Sequence, residues 1–107
     1  MSQQKKSRRQ MLEEFVVEKP DDTFSRYGLA MECMNSGDAS AAESHFRALL
    51  ERNPDYVPAY LMFAQMLVRE SRTSDAKQVL SSGIVAAIKK GDEHARSEMD
   101  TLLGDLA

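Results

Sequence analysis

The sequence predicts an all-α fold of about six antiparallel helices, and three observations point to it. Apolar residues recur at the three-to-four-residue spacing of a helix face along almost the whole chain. Breaks are sharp and few, with Pro20, Gly37, Pro54 and Gly91 standing where such runs end. The chain also repeats itself. Pro20-Asp21 returns 34 residues later as Pro54-Asp55, and the same offset relates Ala30 to Ala64, Ser40 to Ser74 and Ala42 to Ala76.

Residues 1–7 are polar and charged and predict a disordered basic tail. Met11, Leu12, Phe15 and Val16 then form one stripe of a first helix, which Pro20 closes. A second helix runs from about Thr23 to Ser36 through Tyr27, Leu29, Ala30, Met31, Cys33 and Met34, with Gly37 as the residue that ends it. Either Asp38 or Ser40 can cap the third helix, and Ser40 to Glu43 has the spacing of a capping box. That helix turns Ala42, Phe46, Leu49 and Leu50 inward. Pro58 then suits the first turn of a fourth helix, where a missing N–H costs nothing. The fourth helix reaches about Glu70 through Tyr60, Leu61, Phe63, Ala64, Leu67 and Val68. Thr73 is the expected cap of a fifth, carrying Ala76, Val79, Leu80, Ile84, Ala87 and Ile88. Gly91-Asp92 repeats the break at Gly37-Asp38, and a last helix holds Ala95, Met99, Leu102 and Leu103.

Composition narrows the function. Lys5, Lys6, Arg8 and Arg9 contribute +4 to a net charge of −3, so residues 11–107 carry −7. An acidic body is the wrong sign for a nucleic-acid-binding domain. The lone Cys33 cannot form an internal disulfide, no run approaches the ~20 apolar residues of a membrane span, and Glu13 and Glu14 interrupt any signal-peptide core. The expectation is a cytoplasmic protein with no membrane association. No glycine-rich phosphate loop is present, His45 has no ligand at helical spacing, and His94 with Glu98 lacks a third metal ligand. Ser74 to Lys77 matches an S-x-x-K pattern but sits at a helix start without companion motifs. We therefore expect no catalytic residues, no cofactor, no metal and no enzyme.

A period of about 34 with two helices per unit, together with Leu29-Ala30, Ala42, Phe46 and Pro54 in one unit and Tyr60, Phe63-Ala64, Ala76, Leu80 and Gly83 in the next, resembles the tetratricopeptide repeat family. Arg26 stands where that pattern carries a large aromatic, Leu49 where it carries a small residue, and Ile88 where it carries proline. The resemblance implies a right-handed α-α superhelix, a solenoid of helix pairs, forming a single domain over residues 8–107. Its parts are a leading half unit at 8–22, full units at 23–56 and 57–90, and a closing helix at 92–106. Small residues at Ala30, Ala42, Ala64, Ala76 and Gly83 would let neighbouring helices approach closely.

The family resemblance also implies a function. The first helix of each unit lines a concave side that takes peptides or partner helices, so this chain is expected to be a non-catalytic scaffold for protein–protein interaction. Carried over position by position, the partner-binding residues are Tyr27, Met31, Met34 and Asn35, then Leu61, Met62, Gln65 and Arg69, and finally Arg96; Met99 is expected on the same side. Tyr27 and Met31 stand where some members place polar residues of a carboxylate clamp, so an apolar, methionine-rich groove is expected instead. The alternatives are a self-associating module forming a homo-oligomer, and a nucleic-acid adaptor acting through the basic tail.

Overall fold

The computed structural model describes residues 5–107; residues 1–4 of the expected tail lie outside the described residues. Among the described residues are six α-helices and no strand: α1 (Arg8–Glu18), α2 (Thr23–Asn35), α3 (Ala39–Arg52), α4 (Val57–Arg69), α5 (Thr73–Lys90) and α6 (Glu93–Asp105). The chain divides into two compact units, Met1–Arg52 with the first three helices and Asn53–Ala107 with the last three.

Four of the six helices start on a side-chain cap. The free N–H groups of a first turn need acceptors, and short polar side chains supply them. Ser7 accepts from the Gln10 N–H at 3.1 Å while its own N–H donates to Gln10 Oε1 at 2.8 Å, a reciprocal box that the Ser-Arg-Arg-Gln spelling announces. Asp22 caps α2 through the Ser25 N–H at 3.1 Å, and Asp92 caps α6 through the Ala95 N–H at 3.0 Å. For α3 the cap is Asp38, which accepts from the Ala41 N–H at 3.2 Å; Ser40 lies inside the helix. At α5 the expectation of a Thr73 cap is corrected. The Ala76 N–H reaches the Arg72 carbonyl at 3.0 Å, so the helix begins one residue earlier and Arg72 takes the cap position without a side-chain cap bond. Its guanidinium instead holds Asp75, Nε to Oδ2 at 2.9 Å.

The helix ends repeat one device. Gly37, Ser71 and Gly91 all sit at positive φ, at 84°, 60° and 69°. In each case two consecutive N–H groups bend back to close the last turn: Gly37 and Asp38 onto Met34 and Cys33, Ser71 and Arg72 onto Val68 and Leu67, Gly91 and Asp92 onto Ile88 and Ala87. Ser71 falls 34 residues after Gly37, so the repeat preserves the turn but not the glycine that suits it.

In the first unit α2 packs on α3 and α1 packs on α2. Leu29, Ala30 and Cys33 of α2 and Ala42, Phe46 and Leu49 of α3 are almost completely buried, whereas α1 buries only Val16. Arg26, where the repeat pattern carries an aromatic, is half-buried. It donates from Nη2 to the Pro20 carbonyl at 3.2 Å, and burial together with nearby Arg52 holds its guanidinium below the ordinary range.

In the second unit α5 packs on both α4 and α6. Phe63, Ala64, Leu67, Ala76, Leu80, Ala87 and Met99 lose essentially all contact with solvent, each large side chain contributing about 1.5–3 kcal/mol by leaving water. The closest approach is at Gly83. A β-carbon there would lie 2.6 Å from Tyr60 Cβ and 2.6 Å from Met99 Sδ. Tyr60 is fixed by its hydroxyl, which donates to the Pro54 carbonyl at 2.5 Å. The turn at Pro54 therefore anchors the side chain against which Gly83 is seated.

Candidate functional site

The expected partner-binding residues separate by unit. In the first, Tyr27, Met31 and Asn35 of α2 line a groove of about 560 Å³, whose other wall is α1 through Arg8, Met11, Leu12 and Phe15. Its rim is unusually apolar for a solvent-facing surface: Phe24 is 78 % exposed, Met11 53 % and Phe15 42 %. Gly28 leaves the floor open at α2, where Leu12 approaches from α1. In the second unit Leu61 and Gln65 of α4 face Ser97, Glu98, Thr101, Leu102 and Asp105 of α6 across a groove of about 350 Å³. Its lining mixes apolar Leu61 and Leu102 with Glu98, Asp105 and His94.

The remaining expected residues line neither groove. Met34 and Met62 are half-buried, and Arg69 is exposed near the end of α4. Arg96 has its charge answered within α6, by Glu93 at 3.0 Å and by Asp100 one turn on. The expectation that Met99 lies on the binding side is corrected: it is fully buried, because Gly83 leaves a gap that its sulfur fills. Met66 is likewise core, at 3 % exposure. Sequence reasoning passed over Arg8, Met11, Leu12 and Phe15 as a groove wall. The signal was present, since Met11 and Phe15 are one turn apart on a helix with little else to bury them.

The ionisable groups are arranged for structure. Asp38 caps α3 and meets Arg9 at 3.0 Å; the Ala41 N–H and then Arg9 hold its carboxyl below the usual range. Burial pushes the Cys33 thiol up, and Cys33 has no exposed surface. Burial, with Arg26 nearby, pulls His45 below its ordinary value. His94 Nε2 meets Glu98 Oε1 at 2.8 Å, so the two partner one another. No group of three or more His, Cys, Asp or Glu among the described residues is placed to hold a metal ion, and none of their helices is long and apolar enough to cross a membrane. The basic start is engaged too, with Lys6 on Glu14 at 2.7 Å, Arg8 on Glu32 at 3.3 Å and Arg9 on Asp38.

Antiparallel helix pairs recurring every 34 residues, closed by the same left-handed turn and leaving side-chain-lined grooves on their first helices, define a helical repeat protein. Residues 34–97 match the family model for the tetratricopeptide repeat, and the chain belongs to that family. A curated TPR repeat-containing protein of Pseudomonas aeruginosa is 26 % identical over 95 residues, which is 89 % of this chain and 90 % of the relative. The solution structure of a tetratricopeptide repeat domain protein from Salinibacter ruber is 34 % identical, with a TM-score of 0.77 over 82 % of this chain and 89 % of that one. A Bordetella parapertussis protein, also solved in solution, is 25 % identical with a TM-score of 0.80 over 95 % of this chain and 89 % of its own. The fold is in general one of protein–protein interaction modules.

Proposed function

We propose that this chain is a non-catalytic scaffold that holds protein segments, on the face of α2 in the first unit and on that of α4 in the second. The observation that carries the reading is the apolar α1–α2 groove, with Phe24, Met11 and Phe15 left open to water around Tyr27 and Met31. Uncovered apolar area of this kind gains free energy on being buried, at about 25 cal/mol per Å². Apolar side chains of the bound segment would supply contact area there. In the first unit Asn35 would fix a segment's direction through its amide; in the second Gln65 would do so, with Arg69 as an outer contact. The reading makes the protein cytoplasmic and needs no cofactor. A nucleic-acid role through the basic start is disfavoured, because residues 11–107 carry a net −7 that would repel the phosphates.

The test is affinity capture from the native lysate with wild type and a Met31→Glu/Leu61→Glu variant, both half-buried sites, after circular dichroism has shown that the variant keeps its helices. A protein retained by wild type and lost from the folded variant supports binding at these faces. Equal retention by both removes Met31 and Leu61 from the site.

A further inference from the structure

We infer that the α1–α2 groove is covered by a second copy of this chain, the two copies paired antiparallel through α1 about a two-fold axis. The inference rests on the groove being an interaction surface and names its occupant. On α1, Arg8, Met11, Phe15 and Glu18 fall at i, i+3, i+7 and i+10, which is one stripe of a helix. The Arg8 side chain is 70 % exposed, Met11 and Phe15 project into water, and Glu18 is exposed with no ion pair among the described residues. Along the helix the stripe reads cation, apolar, apolar, anion.

Turned end for end and laid on itself about residue 13, that order is its own complement. Arg8 of each copy meets Glu18 of the other, and Met11 meets Phe15, twice over. A parallel pairing would set like charges together. A foreign helix would have to carry this order in reverse, which the chain itself already supplies. Isologous contact of one patch with its own copy is also the commonest closed symmetry among soluble oligomers. A stable pair buries about 1,200 Å² or more in total, more than an 11-residue helix provides, and the exposed Phe24 on the groove rim is the apolar surface available to complete it.

The pairing is tested by charge exchange in sedimentation experiments on the full chain. Arg8→Glu and Glu18→Arg each convert two attractions into two repulsions, and each variant alone should self-associate about tenfold more weakly than wild type. Mixed in equal amounts they should recover wild-type association, because every contact in the mixed pair again joins opposite charges. Glu18→Arg leaves the Arg8–Glu32 pair intact, so it separates loss of association from any local effect of changing Arg8. A wild-type chain that stays monomeric at all concentrations overturns the inference, and so does a mixture no better than its components. A monomeric chain that still captures a protein lost from the Met31→Glu/Leu61→Glu variant would overturn self-pairing while leaving the proposed function standing.

Discussion

Replacing Gly83 by alanine isolates the closest packing in the molecule. The added methyl would sit 2.6 Å from Tyr60 Cβ, 2.9 Å from Tyr60 Cγ and 2.6 Å from Met99 Sδ, all well inside ordinary contact. Met99 is a flexible side chain and can retreat. Tyr60 cannot, because its β-carbon is attached to the α4 backbone and its hydroxyl is tied to the Pro54 carbonyl. Overpacking of this kind costs about 1–3 kcal/mol, and the rigidity of Tyr60 places the cost at the upper end. Against it stands the better helix propensity of alanine, about 1 kcal/mol at an interior position. The net expectation is a loss of about 2 kcal/mol, or roughly 10 °C in Tm for a domain of this size. Gly28 provides the control. A β-carbon there meets only Leu12, at 3.6 Å, so Gly28→Ala should keep the propensity gain and be neutral or stabilising. Thermal and urea melts followed by circular dichroism decide the matter. Gly83→Ala as stable as wild type would refute the close-approach reasoning, as would equal losses from both glycines.

Three further outcomes are expected. Ser71→Gly should stabilise by a few tenths to about 1 kcal/mol, since it removes the strain of a side chain at φ 60° but adds freedom to the unfolded chain; the same melts measure it. Asp38 has a folded-state pKa held below its ordinary 3.8, so the stability it contributes is present above that value and is lost as pH falls through the lower folded pKa. The stability gap between wild type and Asp38→Asn should therefore narrow in acid below about pH 4, which urea titrations across that range would show. Cys33 should resist a chromogenic thiol reagent in the native protein and react at once in denaturant, because it is buried and its thiol is pushed up.

The helices were legible because apolar spacing and backbone chemistry agree. Gly37, Gly91 and Pro58 occupy the places their conformational preferences suit, and the six elements begin and end within a few residues of expectation. Thr73 misled because its hydroxyl is a good cap, while the residue in the cap position, Arg72, has no capping chemistry of its own. The box at Ser7 was written in the sequence and hidden by the surrounding charges, which read as a tail. The methionines show the deeper limit. Helical spacing assigns Met66, Met62 and Met99 to faces, but burial depends on which helix arrives opposite, and for Met99 that is decided by a missing side chain at Gly83. Arg96 looked available because a sequence cannot show that Glu93 and Asp100 would both turn toward it. Of the residues expected to bind, Tyr27, Met31 and Asn35 of α2 and Leu61 and Gln65 of α4 are the ones that border a groove.

Because Gly83 of α5 touches Tyr60 of α4 and Met99 of α6 at one point, none of these three helices can lift away without exposing the others. Slow amide hydrogen exchange should therefore be shared among α4, α5 and α6, their protected amides opening together as one cooperative event. The first helix is in the opposite position. With only Val16 buried, α1 should exchange early while α2 and α3 stay protected, and any partner that settles on it would slow that exchange first.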